Sequence, residues 1–210
     1  MIFNSIAFQL FFCIVSLLYF LTPHKYRWGL LLAASYYFYI SLKAEYAAIL
    51  FATSSVTYLC ALLMHLHARP SFKKALLIAG LSLNVGILCV FKYTGFIFSS
   101  LQDAMHFFSI QTSLPTITII LPVGISFYVF RTISYLLEVY RGNMKPERHF
   151  GIFSLYVSFF PSLLAGPIDR AVTLIPQFYK KSEFDAARFL TGVQLILWGL
   201  FKKVVIADRL

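Results

Sequence analysis

The sequence predicts an all-α fold, a polytopic transmembrane helical bundle with short or broken helices. Two features of composition and one of patterning predict it: 60% of residues are apolar, only 12% are charged, and windows of roughly 15 to 21 residues nearly free of charge recur along the chain. Such a window spans a hydrocarbon core of about 30 Å. A soluble domain carries about twice that share of charge. About six to seven segments, with no long linker, low-complexity tract or internal repeat between them, predict a single membrane domain over residues 1–210.

The segments fall at about Ile6 to Leu21, Trp28 to Leu42, Tyr46 to Leu66, Ala75 to Phe91, Leu114 to Val139, Ile152 to Ala165 and Phe189 to Ala207. The first follows MIFNS, which lacks the basic region of a secretory signal, so it reads as a retained helix. The second and sixth are short, which suits a tilted, re-entrant or bilayer-thinning piece. Cytoplasmic loops retain Lys and Arg. These collect after the first, third and fifth segments, as Lys25 and Arg27, as Arg69, Lys73 and Lys74, and as Arg141, Lys145 and Arg148. The amino terminus is therefore expected outside.

The formal charge of +10 is dispersed over alternate loops, a pattern of topology retention that argues against a nucleic-acid partner. Attraction to anionic headgroups or to an anionic cytosolic donor is a secondary reading. Cys13, Cys60 and Cys89 all lie in apolar segments and read as packing residues. His65 and His67 near Cys60 do not form a convincing metal set, and His24, His106 and His149 stand alone. No phosphate-cradling or dinucleotide glycine motif is present, and Tyr128 occupies the second glycine position of a nucleophile elbow beginning at Gly124. No histidine is followed by an aspartate five positions on.

The segment from Leu121 to Gly142 carries Arg131 and Glu138 within an apolar run. Each charge would cost about 3 kcal/mol at the middle of a lipid-facing helix, so both should face protein, water or substrate. At helical spacing Gly124, Tyr128, Arg131, Tyr135 and Glu138 share one narrow sector. These side chains read either as the lining of a polar path or as a brace for helix packing. Arg131 and Glu138 are about 10.5 Å apart along the axis, too far for easy direct contact.

Further on, Ala165-Gly166-Pro167-Ile168-Asp169-Arg170 breaks an apolar run and places opposite charges at the break. Non-helical backbone at membrane depth needs protein or a water-filled cavity to satisfy it, so the turn is expected to border a cavity, with a plain helix end as the other reading. The stretch from Pro167 to Arg188 reads as interfacial. Ser182 with Asp185 has the form of a capping box for the last helix. Lys202 and Lys203 lie in the last stretch of that helix and are expected to snorkel or to bind an anion.

Three blocks, LPVGISFYVFRTISYLLEVYRG, FFPSLLAGPIDR and WGLFKKVVIADRL, resemble the membrane-bound O-acyltransferase family, and the nearest subgroup is the one similar to alginate O-acetyltransferase. The opening MIFNSIAFQLFF fits the same subgroup. The resemblance covers the chain as an amino-terminal half and implies an enzyme of the bacterial cytoplasmic membrane. That enzyme transfers an acetyl group from a thioester donor, with no bound cofactor, onto hydroxyls of an exported polysaccharide such as alginate. The bilayer, the polysaccharide and envelope acetylation-pathway proteins are the implied partners. The family's catalytic histidine lies in a second-half motif that none of the five histidines matches, so no catalytic residue is assigned and the 210-residue chain is expected to be inactive alone. Tyr128, Arg131, Tyr135, Glu138, Asp169 and Arg170 are the tunnel-lining candidates under this resemblance, and Lys202 and Lys203 the interfacial ones. A non-catalytic scaffold or export component is the alternative reading, and a transporter ranks last.

Overall fold

The computed structural model describes residues 5–67, 69–107, 122–163, 166–207 and 209. Among these the protein is an all-α bundle of membrane character: α1 (Ile6–Leu21), α2 (His24–Ile40), α3 (Ala44–Leu66), α4 (Pro70–Phe107), α5 (Ile125–Tyr140), α6 (Phe150–Ser158), α7 (Phe160–Leu163), α8 (Ala171–Tyr179) and α9 (Ala186–Phe201), the last continued by a π-helical turn, Lys202–Ala207. Three helical stretches, Ala44–Leu66, Pro70–Asp103 and Ala186–Ala207, are long and apolar enough to cross a membrane, and Ile6–Leu21 is a shorter apolar helix.

Local chemistry sets most boundaries. The Ser5 hydroxyl accepts from the Phe8 amide and starts α1. Pro23 stands just before α2, which begins at His24 rather than at Trp28 because the intervening Lys and Arg are good helix formers. Pro70 opens α4, and this helix continues sixteen residues past the predicted end at Phe91, through Lys92 to Phe107. The stretch after Lys92 expected as a loop is therefore helical as far as it is described. At 38 residues its length is about 57 Å, well beyond the hydrocarbon thickness.

The fifth segment is corrected more sharply. Residues 108–121 lie outside the described part, and Gly124 adopts φ +82° just before α5, a left-handed conformation that ends any continuous helix from Leu114. Gly124 therefore leaves the helical stripe, while Tyr128, Arg131, Tyr135 and Glu138 remain on the buried face of α5. The sixth segment divides at Phe159 into α6 and α7. Asp185, and not Ser182, caps α9: its carboxylate accepts from the Ala187 and Arg188 amides at 2.9 and 3.1 Å.

The principal core joins α2 to α8 around Tyr39, Leu50, Tyr128, Leu136, Phe153 and Leu163. A second cluster holds α1 to α2 by seating Phe160 of α7 among Phe8, Phe11, Phe12 and Phe38, with Phe11 edge-on to Phe160 at 5.2 Å. Of the cysteines only Cys60 is buried, so the packing reading fits Cys60 and not the exposed Cys13 and Cys89.

Candidate functional site

Pro161 explains why the site forms where it does. In a continuous helix the amide of residue 161 would bond the Val157 carbonyl, but proline has no N–H. The helix stops at Phe159 and restarts, leaving α6 with unpaired carboxy-terminal carbonyls inside the bundle. Arg131 of α5 supplies the missing donors. Its Nη1 donates to the carbonyls of Tyr156 and Val157, both at 3.4 Å, and its Nη2 donates to the Ser162 carbonyl at 3.0 Å and to the Ser162 hydroxyl. The Phe160 amide, also released by the break, donates to the Ser35 hydroxyl of α2 at 3.3 Å. The broken backbone inside the bundle is thus satisfied by protein.

The charge of Arg131 is met by the next break. Nη2 lies 2.8 Å from Asp169 Oδ2, with the Arg131 side chain 1% exposed and that of Asp169 29% exposed. Ser162 donates to the same oxygen at 2.6 Å, and the Tyr156 hydroxyl donates to the Asp169 carbonyl at 3.0 Å. The adjacent Arg170 reaches the other charge on α5, its Nη2 standing 3.6 Å from Glu138 Oε1. Two chain neighbours of opposite sign therefore engage two opposite charges seven residues apart on one helix.

A second local motif prepares Glu138. Gly142 has φ +77°, the Asn143 amide donates to the Glu138 carbonyl, and the Gly142 amide donates to that of Val139, which together form a Schellman ending for α5. This turn brings the Asn143 side-chain amide to 2.7 Å from Glu138 Oε2. One oxygen of Glu138 is held by Asn143 and the other by Arg170.

The tyrosines divide in role. The Tyr135 hydroxyl accepts from the Glu147 amide at 2.9 Å and so fixes the 143–149 loop. Tyr128 packs edge-on to Tyr39 at 6.4 Å, and its buried hydroxyl has no hydrogen-bond partner among the described residues; Arg131 Nε is likewise unpartnered. Sequence reasoning missed Ser162, Tyr156 and Ser35, ordinary polar residues made important by the break. It also missed Asn84, a lone amide in an apolar run. Asn84 donates to Thr57 at 3.1 Å and to the Gly80 carbonyl at 2.8 Å, and accepts from Thr132 at 2.6 Å, tying α3, α4 and α5 through one side chain.

Two expected residues lie apart from this cluster. Lys202 places its ammonium 5.3 Å from the Trp198 ring centroid, a cation–π contact on the exposed α9, and Lys203 neighbours it in the π-helical turn. The histidines with described contacts serve backbone groups: His24 bonds the Tyr179 carbonyl, His67 the Leu63 carbonyl, and His149 Nδ1 accepts from the Ile152 amide to cap α6. A crevice of about 260 Å³, lined by Phe12, Tyr19, Phe159, Phe160, Pro161 and Phe178, borders the Phe159 break. The Gly166-Pro167 turn is not among its lining residues.

Comparison with known proteins places this architecture. The chain is 35% identical along its whole length to a probable alginate O-acetylase AlgI of Pseudomonas putida, covering 43% of that protein. It is 35% identical to the protein of the same name in Azotobacter vinelandii, covering 42%. Over 85% of its length it is 32% identical to a peptidoglycan O-acetyltransferase of Helicobacter pylori, covering 38%. The chain thus spans about two-fifths of the length of these curated relatives. No family model and no solved structure matches it. These relatives fit a membrane-bound O-acyltransferase-like fragment, in agreement with the resemblance carried by the three sequence blocks.

Proposed function

We propose that this chain forms part of a membrane-bound O-acetyltransferase that esterifies hydroxyls of a cell-envelope polysaccharide. The observation that carries the reading is the end-to-end similarity to proteins named alginate O-acetylase, supported by a more distant one to a peptidoglycan O-acetyltransferase. In the reaction an acceptor hydroxyl oxygen attacks the carbonyl of an acetyl thioester, the carbon–sulfur bond breaks, and the proton passes through a general base to the leaving thiolate. The donor is read as a thioester on the cytosolic side and the acceptor as an exported polysaccharide such as alginate. The membrane is read as the bacterial cytoplasmic membrane with the amino terminus outside.

The part assigned to the described residues is structural support of the acyl path. Arg131, Asp169, Glu138 and Arg170 fix the broken α6–α8 segment against α5, and Tyr135 fixes the loop beyond it. Tyr128 Oη and Arg131 Nε, the unpartnered polar atoms on α5, are the points at which this helix would meet a transferred group or its water.

Complementation tests the proposal. Cells lacking a polysaccharide O-acetyltransferase would receive this chain alone or with the remaining portion of a relative. The expected result is acetylated polysaccharide only in the combined strain, lost when that portion carries a histidine-free acyltransferase motif. No acetylation in either strain, with both polypeptides present in the membrane, would favour a non-catalytic scaffold.

A further inference from the structure

The 143–149 loop is pinned from two sides. The Glu147 amide is held by the Tyr135 hydroxyl and the Arg148 carbonyl by the Tyr58 hydroxyl, while Pro146 is buried between them. Lys145 and Arg148 project from this fixed backbone, both exposed, and neither forms an ion pair among the described residues. Between them Glu147 carries a negative charge, its Oε1 accepting from the Tyr179 hydroxyl and the His149 amide, each at 2.8 Å. The loop therefore presents two cations against one carboxylate, a net positive charge on a preorganised backbone.

Beside them lies an open trough of about 680 Å³ between the loop and α8. Its walls are mostly apolar, including Met144, Pro146, Val172, Ile175 and Pro176, with Lys145, Glu147 and Arg148 as the charged lining residues. Val172, on the first turn of α8, and Ile168, in the stretch before it, remain exposed. A free anion would use the cations but none of this apolar wall. An amphiphile carrying a phosphate uses both.

We propose that this trough binds an anionic phospholipid, with its phosphate held by Lys145 and Arg148 and the first methylenes of an acyl chain laid against Val172, Ile175 and Pro176. The site is separate from acyl transfer and stands whether or not that reading does. Its partner is a bilayer lipid, consistent with the apolar helices of this chain and with the attraction of juxtamembrane bases to anionic leaflets.

The test uses the 210-residue chain in neutral detergent, with lipid retention followed by native mass spectrometry and folding by circular dichroism. Phosphatidylglycerol should be retained in preference to phosphatidylcholine, and millimolar inorganic phosphate should not displace it. Replacing both Lys145→Ala and Arg148→Ala should weaken phosphatidylglycerol binding on the order of tenfold, whereas Lys145→Arg with Arg148→Lys should retain it. Val172→Asn should weaken binding with no change of charge. A control, Lys73→Ala with Lys74→Ala, removes the same charge elsewhere and should bind as the parent does. Equal loss in the control would mean that net charge alone governs binding, displacement by inorganic phosphate would mean a free-anion site, and unchanged binding in the folded loop variant would remove the site; each overturns the proposal.

Discussion

Arg131 and Asp169 meet at 2.8 Å from opposite sides of a broken helix. The pair does more than neutralise charge, because the same guanidinium terminates α6 and holds Ser162 of α7. Asp169 is thereby fixed at the entry to α8, and its neighbour Arg170 is turned toward Glu138.

Removing Asp169 leaves the buried Arg131 charge with only neutral acceptors around it. Asp169→Asn should lower stability by about 3 kcal/mol, and the joint change Arg131→Met with Asp169→Leu should cost less than the sum of Arg131→Met alone and Asp169→Leu alone. Thermal unfolding in detergent for the two single variants and the double variant measures this. Additive losses would mean that the two residues are not coupled.

Asn84 joins three helices through donors and an acceptor that lipid cannot replace. Asn84→Ala removes the bonds to the Thr57 and Thr132 hydroxyls and to the Gly80 carbonyl, a cost of about 1 to 3 kcal/mol. Urea unfolding in mixed micelles should show the lower midpoint, and Asn84→Leu should show it too although it keeps the volume. A parent-like midpoint for both would show that the cluster contributes nothing to stability.

Gly151 of α6 sits directly against the Trp28 ring of α2. A Cβ at this position would lie 2.5 Å from Trp28 Cζ3 and 3.0 Å from His149 Cε1, so Gly151→Ala should destabilise by about 1 to 3 kcal/mol through overpacking. Trp28→Phe removes the opposing ring atoms and should recover part of the loss. Failure of that second change to help would place the defect in the α6 backbone instead.

Tyr179 links α8 to the basic loop and gives a pH dependence of definite sign. Its hydroxyl donates to Glu147 at 2.8 Å, and partial burial together with this carboxylate pushes its pKa up to about 12 from 10. The folded state therefore favours the protonated phenol. The stabilisation is fully present below pH 10 and is lost as pH rises through about 12. Ultraviolet titration of the parent against Tyr179→Phe should reveal one phenol ionising near the upper value; a difference centred at the ordinary tyrosine value would show that the contact is not made.

The sequence by itself determined the membrane character, the helical class, the first helix to the residue, and the expectation that Arg131 and Glu138 would face away from lipid. Composition, periodicity and the high cost of charge in hydrocarbon are local quantities, and they are written in the order of residues. The boundaries that failed, the long α4 and the late start of α5, are those where polar residues were read as loop although a helix can carry them, or where a glycine turn was read as helix. Only the tertiary structure decided which charges meet. Asp169 lies 38 residues from Arg131, and nothing local distinguishes it from other carboxylates as the partner. The same holds for Asn84 and Ser35, whose importance comes from backbone and hydroxyl groups on other helices. Apolar burial depends on how much of a residue is covered and is visible in a pattern; a hydrogen bond depends on where its partner sits, and that is fixed only when the helices pack.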